Sequence, residues 1–268
     1  MAFSPDELER YSRRIILKEV GVKGQKKLCA AQVLIIGAGG LGAPAALYLG
    51  AAGVGTIGIV DADEVELSNL QRQVIHGTSD IGKPKVESAA ETLHDINPGV
   101  NVVTYREFVG SSNIADLIKD YDFVIDGVDN FPTKFLIDDA CVMGHKPSVH
   151  AGIIRFKGQL MTYVPGEGPC YRCVFHDMPP KDAVSTCKQA GVIGCLEALE
   201  AIKYICGIGE LLTGRLLTFD TLKGDFRTIK LPPRVSNCPV CGDHPTVTEL
   251  IDYEQPACSL AQHGTALD

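Results

Sequence analysis

Several marks of large function classes are missing from this chain. It is short of basic residues: 25 Lys and Arg stand against 33 Asp and Glu in 268 residues, a formal net charge of -8. Nothing gathers those cations into a stripe. A nucleic-acid surface is therefore not expected, since meeting phosphates takes a concentrated basic footprint. No apolar run is long and clean enough to cross a membrane. The most apolar late stretch, AGVIGCLEALEAIKYICGIG, is interrupted by Glu197, Glu200 and Lys203. The opening residues MAFSPDELERYSRR are polar and charged and do not resemble a signal peptide. Internal repeats and low-complexity segments are absent. The histidines are scattered, so no Ser-His-Asp constellation is offered, and His145 and His150, around a strand start, receive no role. What remains is a cytoplasmic globular protein, with 45% apolar and 22% charged residues.

What is present reads as one α/β domain over residues 1–258, with a helical lead-in over 4–30 and a flexible tail at 259–268. QVLIIG, TIGIVD, NVVTYR and DFVIDGVD are short β-branched runs. They alternate with helical stretches: LGAPAALYLGAAG, GKPKVESAAETLHDIN, SNIADLIKD (capped by Ser or Asn) and FPTKFLIDDACVMG (closed by Gly144). That alternation predicts a Rossmann-like, doubly wound, mainly parallel sheet. After about residue 147 the pattern changes to PSVHAGI, GQLMTYVPG, LLTFDT and FRTIKL, with one helix at 191–207. These strands predict an antiparallel continuation of the same sheet.

The residues GAGGLG at 37–42 follow the first strand directly and match G-x-G-x-x-G through Gly37, Gly39 and Gly42, with Gly40 between them. The first glycine permits a tight turn, the second lets backbone approach phosphate, and the third lets helix pack on strand. Asp61 ends the next strand and is placed to bind ribose hydroxyls. This much suits NAD and ATP alike, so an NAD-dependent oxidoreductase is the fold-level rival. The stretch DADEVELSNLQRQ then adds Asn69, Gln71 and Arg72, and Lys85 follows at a helix start. A dinucleotide pyrophosphate is served by helix amides, whereas a triphosphate with a leaving pyrophosphate needs cationic clamps and usually Mg²⁺. Asp129, at the carboxyl edge of the sheet, is the candidate magnesium ligand. The balance favours ATP.

Ten cysteines in a reducing compartment do not suggest a disulfide framework. Four of them form two C-x-x-C pairs, Cys170/Cys173 in CYRC and Cys238/Cys241 in CPVC, separated by 64 residues. Two such pairs fit a closed, structural four-thiolate zinc site that ties distant segments together.

The stretches RYSRRIIL, VLIIGAGGLGAPAALYLGAAGVGTIGIVDADEVELSNLQRQ, IGKPKVESA, DGVDNFPTKFLIDDAC, CYRC and CPVCG together resemble the MoeB/ThiF/HesA family, relatives of ubiquitin-activating enzymes. The resemblance implies ATP-dependent adenylation of the C-terminal glycine of a small ubiquitin-like sulfur-carrier protein, giving an acyl-adenylate and pyrophosphate for cofactor or amino-acid biosynthesis. It implies a ThiF-type adenylation domain, a homodimer, and a sulfur donor such as a cysteine desulfurase. By motif position, Gly37, Gly39, Gly40 and Gly42 cradle phosphate and Asp61 holds ribose. Asn69, Arg72 and Lys85 contact the triphosphate, and Asp129, with Asn130 beside it, helps hold Mg²⁺. Arg13 matches an arginine that reaches into the partner subunit's ATP site. Cys187, in VSTCKQAG, matches a cysteine that in one branch links covalently to the carrier. Here it lies only eight residues before Cys195, closer than is usual in the family, so several residues are missing from that segment. A ThiF-like enzyme that adenylates a carboxylate on modified tRNA is a second rival, disfavoured by the acidic charge.

Overall fold

Strand β1 (Gln32–Ile36) has the sequence QVLII and buries four of its five residues. A strand covered by helices on both faces must be apolar throughout rather than alternating. The structure, a computed structural model, describes residues 3–180 and 191–254. Beside β1 lie β2 (Thr56–Val60) and β4 (Phe123–Asp126), both apolar and buried. β3 (Asn101–Tyr105) is half-buried at the sheet edge. Four further strands complete the sheet: β5 (Ser148–Ile154), β6 (Lys157–Tyr163), β7 (Arg215–Asp220) and β8 (Asp225–Lys230). Their order is β3-β2-β1-β4-β5-β6-β7-β8. Pairings from β3 through to β5 are parallel and those from β5 to β8 antiparallel. The expected parallel sheet with an antiparallel continuation is what forms. Because β1 lies between β2 and β4, the connection leaving β1 runs toward β2 and the one leaving β4 runs toward β5; they diverge and open a crevice at the carboxyl ends of these strands.

Among the described residues eight α-helices accompany the sheet: α1 (Pro5–Ile15), α2 (Gly21–Ala30), α3 (Gly42–Ala52), α4 (Lys85–Ile96), α5 (Ile114–Ile118), α6 (Phe131–Met143), α7 (Tyr171–Val174) and α8 (Gly191–Cys206). One core cluster joins α2, α3, α4 and α8 to one face of the sheet, through residues such as Leu28, Leu49, Leu93 and Ile193. A second joins α5 and α6 to the other face, through Ile114, Leu117, Leu136 and Ile137. α1 starts with a capping box: Ser4 Oγ accepts from Glu7 N at 3.2 Å, and Glu7 Oε2 accepts from Ser4 N at 2.7 Å.

Local expectations are corrected at two helix ends. Asn113 precedes α5 but does not cap it; its Oδ1 accepts from Gly110 N at 2.9 Å and its amide donates to Glu107 and Phe108. A short polar side chain serves whichever backbone donor is nearest, and here that is the preceding turn. Gly144 does end α6, but with φ -82; the left-handed residue is the next one, His145, at φ 50. Gly144 is small because a Cβ there would lie 2.9 Å from Ala140 O.

No described helix is long and apolar enough to cross a membrane. Cys187 and the tail at 259–268 lie outside the described residues.

Candidate functional site

The crevice holds a cleft of ≈ 1560 Å³ built around the glycine loop. The three motif glycines are there for different reasons. Gly37 has φ +98, and a Cβ on it would meet Gly127 O at 2.9 Å. A Cβ on Gly42 would lie 1.8 Å from Gly37 O. Both are demanded by the protein's own backbone. Gly39 is not: its Cβ would meet nothing closer than Gln73 Nε2, at 3.8 Å. Its bare face looks into the cleft, a cradle that a side chain would fill. Among the described residues the Gly39 and Gly40 N–H groups have no backbone partner. α3 begins immediately beyond, so unpaired amides and the positive end of a helix face the same space, the arrangement that binds phosphate.

Asp61, at the end of β2, braces this loop. Its Oδ2 accepts from Ala38 N at 2.8 Å and its Oδ1 from Asp63 N at 2.9 Å. Lys85, at the start of α4, is buried, with Nζ 2.9 Å from Asp63 Oδ2 and 4.0 Å from Asp61 Oδ1. Asn69 ends the short 3-10 turn Leu67–Asn69, where its Oδ1 accepts from Glu66 N at 3.2 Å. Arg72 follows, its guanidinium donating to Ser68 O at 3.1 Å. The opposite wall carries Asp129, in the loop after β4, and Asn130, whose Oδ1 caps α6 by accepting from Thr133 N at 3.0 Å.

All four glycines but Gly42 line the cleft, together with Asp61, Asn69, Arg72, Lys85, Asp129 and Asn130. Arg13 does not; it is exposed on α1, away from this chain's own cleft. Cys187 lies outside the described residues. The cleft also includes residues that the sequence reading passed over. Gln73 directly follows Arg72 and sits against Gly39. Asp63 holds Lys85. Lys134 was hidden in FPTKF, although it stands one helical turn beyond Asn130 and hence on the same side of α6.

Lys134 opens a buried ionic chain. Its ammonium donates to Asp126 Oδ2 at 2.9 Å and to Ala151 O. Burial pushes the Asp126 carboxyl up, but Lys134 and His150 outweigh it and hold the group below the ordinary carboxylate value. His150 Nδ1 is 3.0 Å from Asp126 Oδ2, and its Nε2 lies 3.0 Å from Ser148 Oγ and 3.5 Å from Asp138 Oδ1. Asp138 in turn accepts from Tyr171 N at 3.0 Å and Arg172 N at 3.1 Å, which caps α7. Glu197 of α8 is the exception among these buried groups. It is 0% exposed, and neither carboxyl oxygen has a hydrogen-bond partner among the described residues. Burial raises its pKa well above the usual 4.5, with Lys134 opposing. Burial therefore favours the neutral form of Glu197.

α7 is the segment that presents CYRC. Cys170 is its N-cap and Cys173 lies in it, while Cys238 and Cys241 come from the loop after β8. The four sulfurs lie within 4.8 Å of one another. Contacts are 3.8 Å for Cys170–Cys173, 3.6 Å for Cys170–Cys238 and 3.3 Å for Cys173–Cys241. Tetrahedral zinc with Zn–S bonds of about 2.3 Å sets sulfur–sulfur edges of about 3.8 Å, and disulfides are about 2.0 Å. Val235 N also donates to Cys173 Sγ at 3.5 Å, the kind of backbone bond that steadies a thiolate ligand. Four clustered thiols cannot all ionise without a cation between them, so the donor set fits zinc. Four thiolates would fill a tetrahedral zinc and leave no corner for water, so a zinc held here would be structural.

The chain belongs to the ThiF family, whose description matches residues 11–240. Among curated proteins it is similar to adenylyltransferase and sulfurtransferase MOCS3 of Bos taurus, 50% identical over 260 residues, which is 94% of this chain and 57% of that protein. It is 46% identical to MOCS3 of Dictyostelium discoideum over 259 residues, 94% of this chain and 61% of the relative. The chain thus spans less than two thirds of the relatives' length. Among solved structures, E. coli MccB with ATP superposes with a TM-score of 0.74 at 26% identity, over 87% of this chain and 74% of that one. E. coli MccB alone, at 23% identity, has a TM-score of 0.76 over 91% of this chain and 75% of its own; that likeness speaks to the fold alone.

Proposed function

We propose that this chain adenylates the C-terminal glycine carboxylate of a small ubiquitin-like sulfur-carrier protein, using ATP. The observation that carries the reading is the pairing of bare glycine-loop amides with Arg72 and Lys85 in one cleft, a donor set matched to a triphosphate. The MOCS3 relatives, named for adenylyltransferase activity, and the ATP complex of MccB support it.

In this mechanism the Gly39 and Gly40 amides and the α3 N-terminus hold phosphate, and Asp61 accepts from the ribose with the lone pairs left by Ala38 and Asp63. The attacking carboxylate is already ionised near neutral pH, so no general base is required. Its oxygen bonds to the α-phosphorus, and the bond from that phosphorus to the bridging oxygen of pyrophosphate breaks. Lys85 moves from Asp63 onto the phosphates, and with Arg72 neutralises charge on the leaving pyrophosphate. Asn69 and Asn130 supply neutral donors at the same site. Asp129 is the carboxylate that would hold Mg²⁺, which would supply charge neutralisation to the phosphates. In a homodimer, Arg13 of one subunit would complete the site of the other. Cys187 is the residue that would form a covalent link to the carrier during sulfur transfer, with a cysteine desulfurase or similar enzyme as donor.

The test is ATP–pyrophosphate exchange with Mg²⁺ and a panel of carriers ending in Gly-Gly. Exchange that depends on one carrier supports the reading and names the partner. Tight NAD binding with no ATP binding would overturn it.

A further inference from the structure

His76 lies between the glycine loop and α4, and the proposed mechanism gives it no part. It is buried, and it does not itself line the cleft. Its Nε2 is 3.2 Å from Ala38 O, and its Nδ1 is 2.8 Å from Ser88 Oγ. A carbonyl only accepts, so Nε2 must carry a proton. Burial lowers the pKa of this imidazole, and Lys85 lowers it further against Asp80 and Asp61. Nδ1 meets the Ser88 hydroxyl oxygen, and that hydroxyl donates to Asp80 Oδ2 at 2.9 Å. Asp80 Oδ2 also accepts from Gly77 N at 2.8 Å, which fixes the far end of this chain of hydrogen bonds.

The consequence lies one atom further along the chain. In a trans peptide the C=O and the following N–H point in opposite directions. Turning Ala38 O inward onto His76 turns the Gly39 N–H outward, toward the cleft that Gly39 lines. Asp61 grips the other side of Ala38 through its N–H. Ser88 stands one turn beyond Lys85 on α4. One imidazole therefore joins the peptide that presents a phosphate-binding amide to the helix that presents the phosphate-binding lysine.

We propose that His76 is a positioning residue of the nucleotide site: it fixes the Ala38–Gly39 peptide with its N–H toward the phosphates and locks that peptide to the helix carrying Lys85. The proposal rests on reading the cleft as an ATP site.

The experiment compares wild type, His76→Leu and His76→Gln in full-length, metal-loaded protein. Calorimetry measures ATP and adenosine binding, and thermal unfolding is followed in parallel. The Gln amide reaches Ala38 O much as Nε2 does, whereas Leu offers no donor. Loss of one pre-set donor predicts that His76→Leu weakens ATP about tenfold and leaves adenosine unchanged. His76→Gln is expected to stay within about threefold of wild type for ATP. If His76→Leu fails to fold, His76→Asn replaces it, since its shorter amide reaches Ser88 but not Ala38. A purely structural histidine would lower the melting temperature and leave the ATP-to-adenosine ratio untouched; that result overturns the proposal. So does a folded His76→Gln as impaired as the variant without the donor. If wild type itself shows no preference for ATP over adenosine, the adenylation reading falls and takes this proposal with it. A wild type that prefers ATP, with variants that do too, removes only the role of His76.

Discussion

Glu197→Gln should stabilise the protein, and more so at higher pH. Glu197 is fully buried on α8 without a partner for either oxygen among the described residues, and burial raises its pKa well above 4.5. In the unfolded chain the same carboxyl ionises near 4.5. Above that pH the unfolded state has released a proton that the folded state still holds, so folding becomes less favourable as pH rises. The stability that this group contributes is complete below pH 4.5 and is lost as the pH climbs toward the folded-state pKa. The slope is about 1.4 kcal/mol per pH unit across that window. Gln has nearly the same shape and does not titrate. Its buried amide is as poorly partnered as the neutral acid, so the two proteins should be alike near pH 4.5. From there the gap in melting temperature should open by roughly 3–6 °C per pH unit until the folded-state pKa is passed. Asp138 and Asp139 are also raised by burial, but they are common to both proteins and cancel in the difference. Melting curves by circular dichroism at pH 5, 6, 7 and 8 supply the measurement. Parallel curves for the two proteins would refute the reasoning, because they would mean that Glu197 is ionised, and therefore partnered, in the folded state.

Three other outcomes are expected. Gly39→Ala should fold with little change in melting temperature, since its Cβ meets only Gln73 Nε2 at 3.8 Å, yet lose ATP affinity by about tenfold or more; Gly42→Ala, with its Cβ 1.8 Å from Gly37 O, should lose more than about 3 kcal/mol of stability in urea titration. Lys85→Ala leaves behind an Asp63 side chain that is 62% exposed, so stability should hardly move, while the exchange rate should fall on the order of 100-fold, and an unchanged rate would exclude Lys85 from the phosphates. Chelation, or Cys238→Ser, should release one zinc per chain by elemental analysis and lower the melting temperature, because the four thiols clasp α7 to the loop after β8; metal-free protein that melts like the untreated sample would leave the cluster as buried thiols only.

Much of this protein was legible before its fold. The strands β1, β2 and β4 carry the apolar runs VLII, IGIV and FVI without alternation, as strands buried on both faces do. Gly37, Gly42 and the two C-x-x-C pairs were readable because their constraints are local: a positive φ, a backbone contact within one turn, a pair of thiols at adjacent corners of a tetrahedron. The same is true of Asp61 at the end of its strand. Helix caps were read less well, since Asn113 Oδ1 serves Gly110 N of the preceding turn and local pattern does not say which way such a side chain turns.

What the sequence determined by itself is the order of elements, the glycine loop and the two C-x-x-C pairs of the cysteine cluster, all fixed by periodicity, backbone sterics and spacing. Tertiary structure alone decided which distant groups share one environment. His76 and Ala38 are 38 residues apart, and Lys134 meets the carbonyl of Ala151 from the next strand. Glu197, which in the sequence only breaks up an apolar stretch, ends buried, and unpartnered among the described residues, because α8 turns that side toward the interior. The physical reason is that burial and long-range hydrogen bonding depend on how helices pack on the sheet, and a residue's type carries no record of the neighbours that packing brings to it.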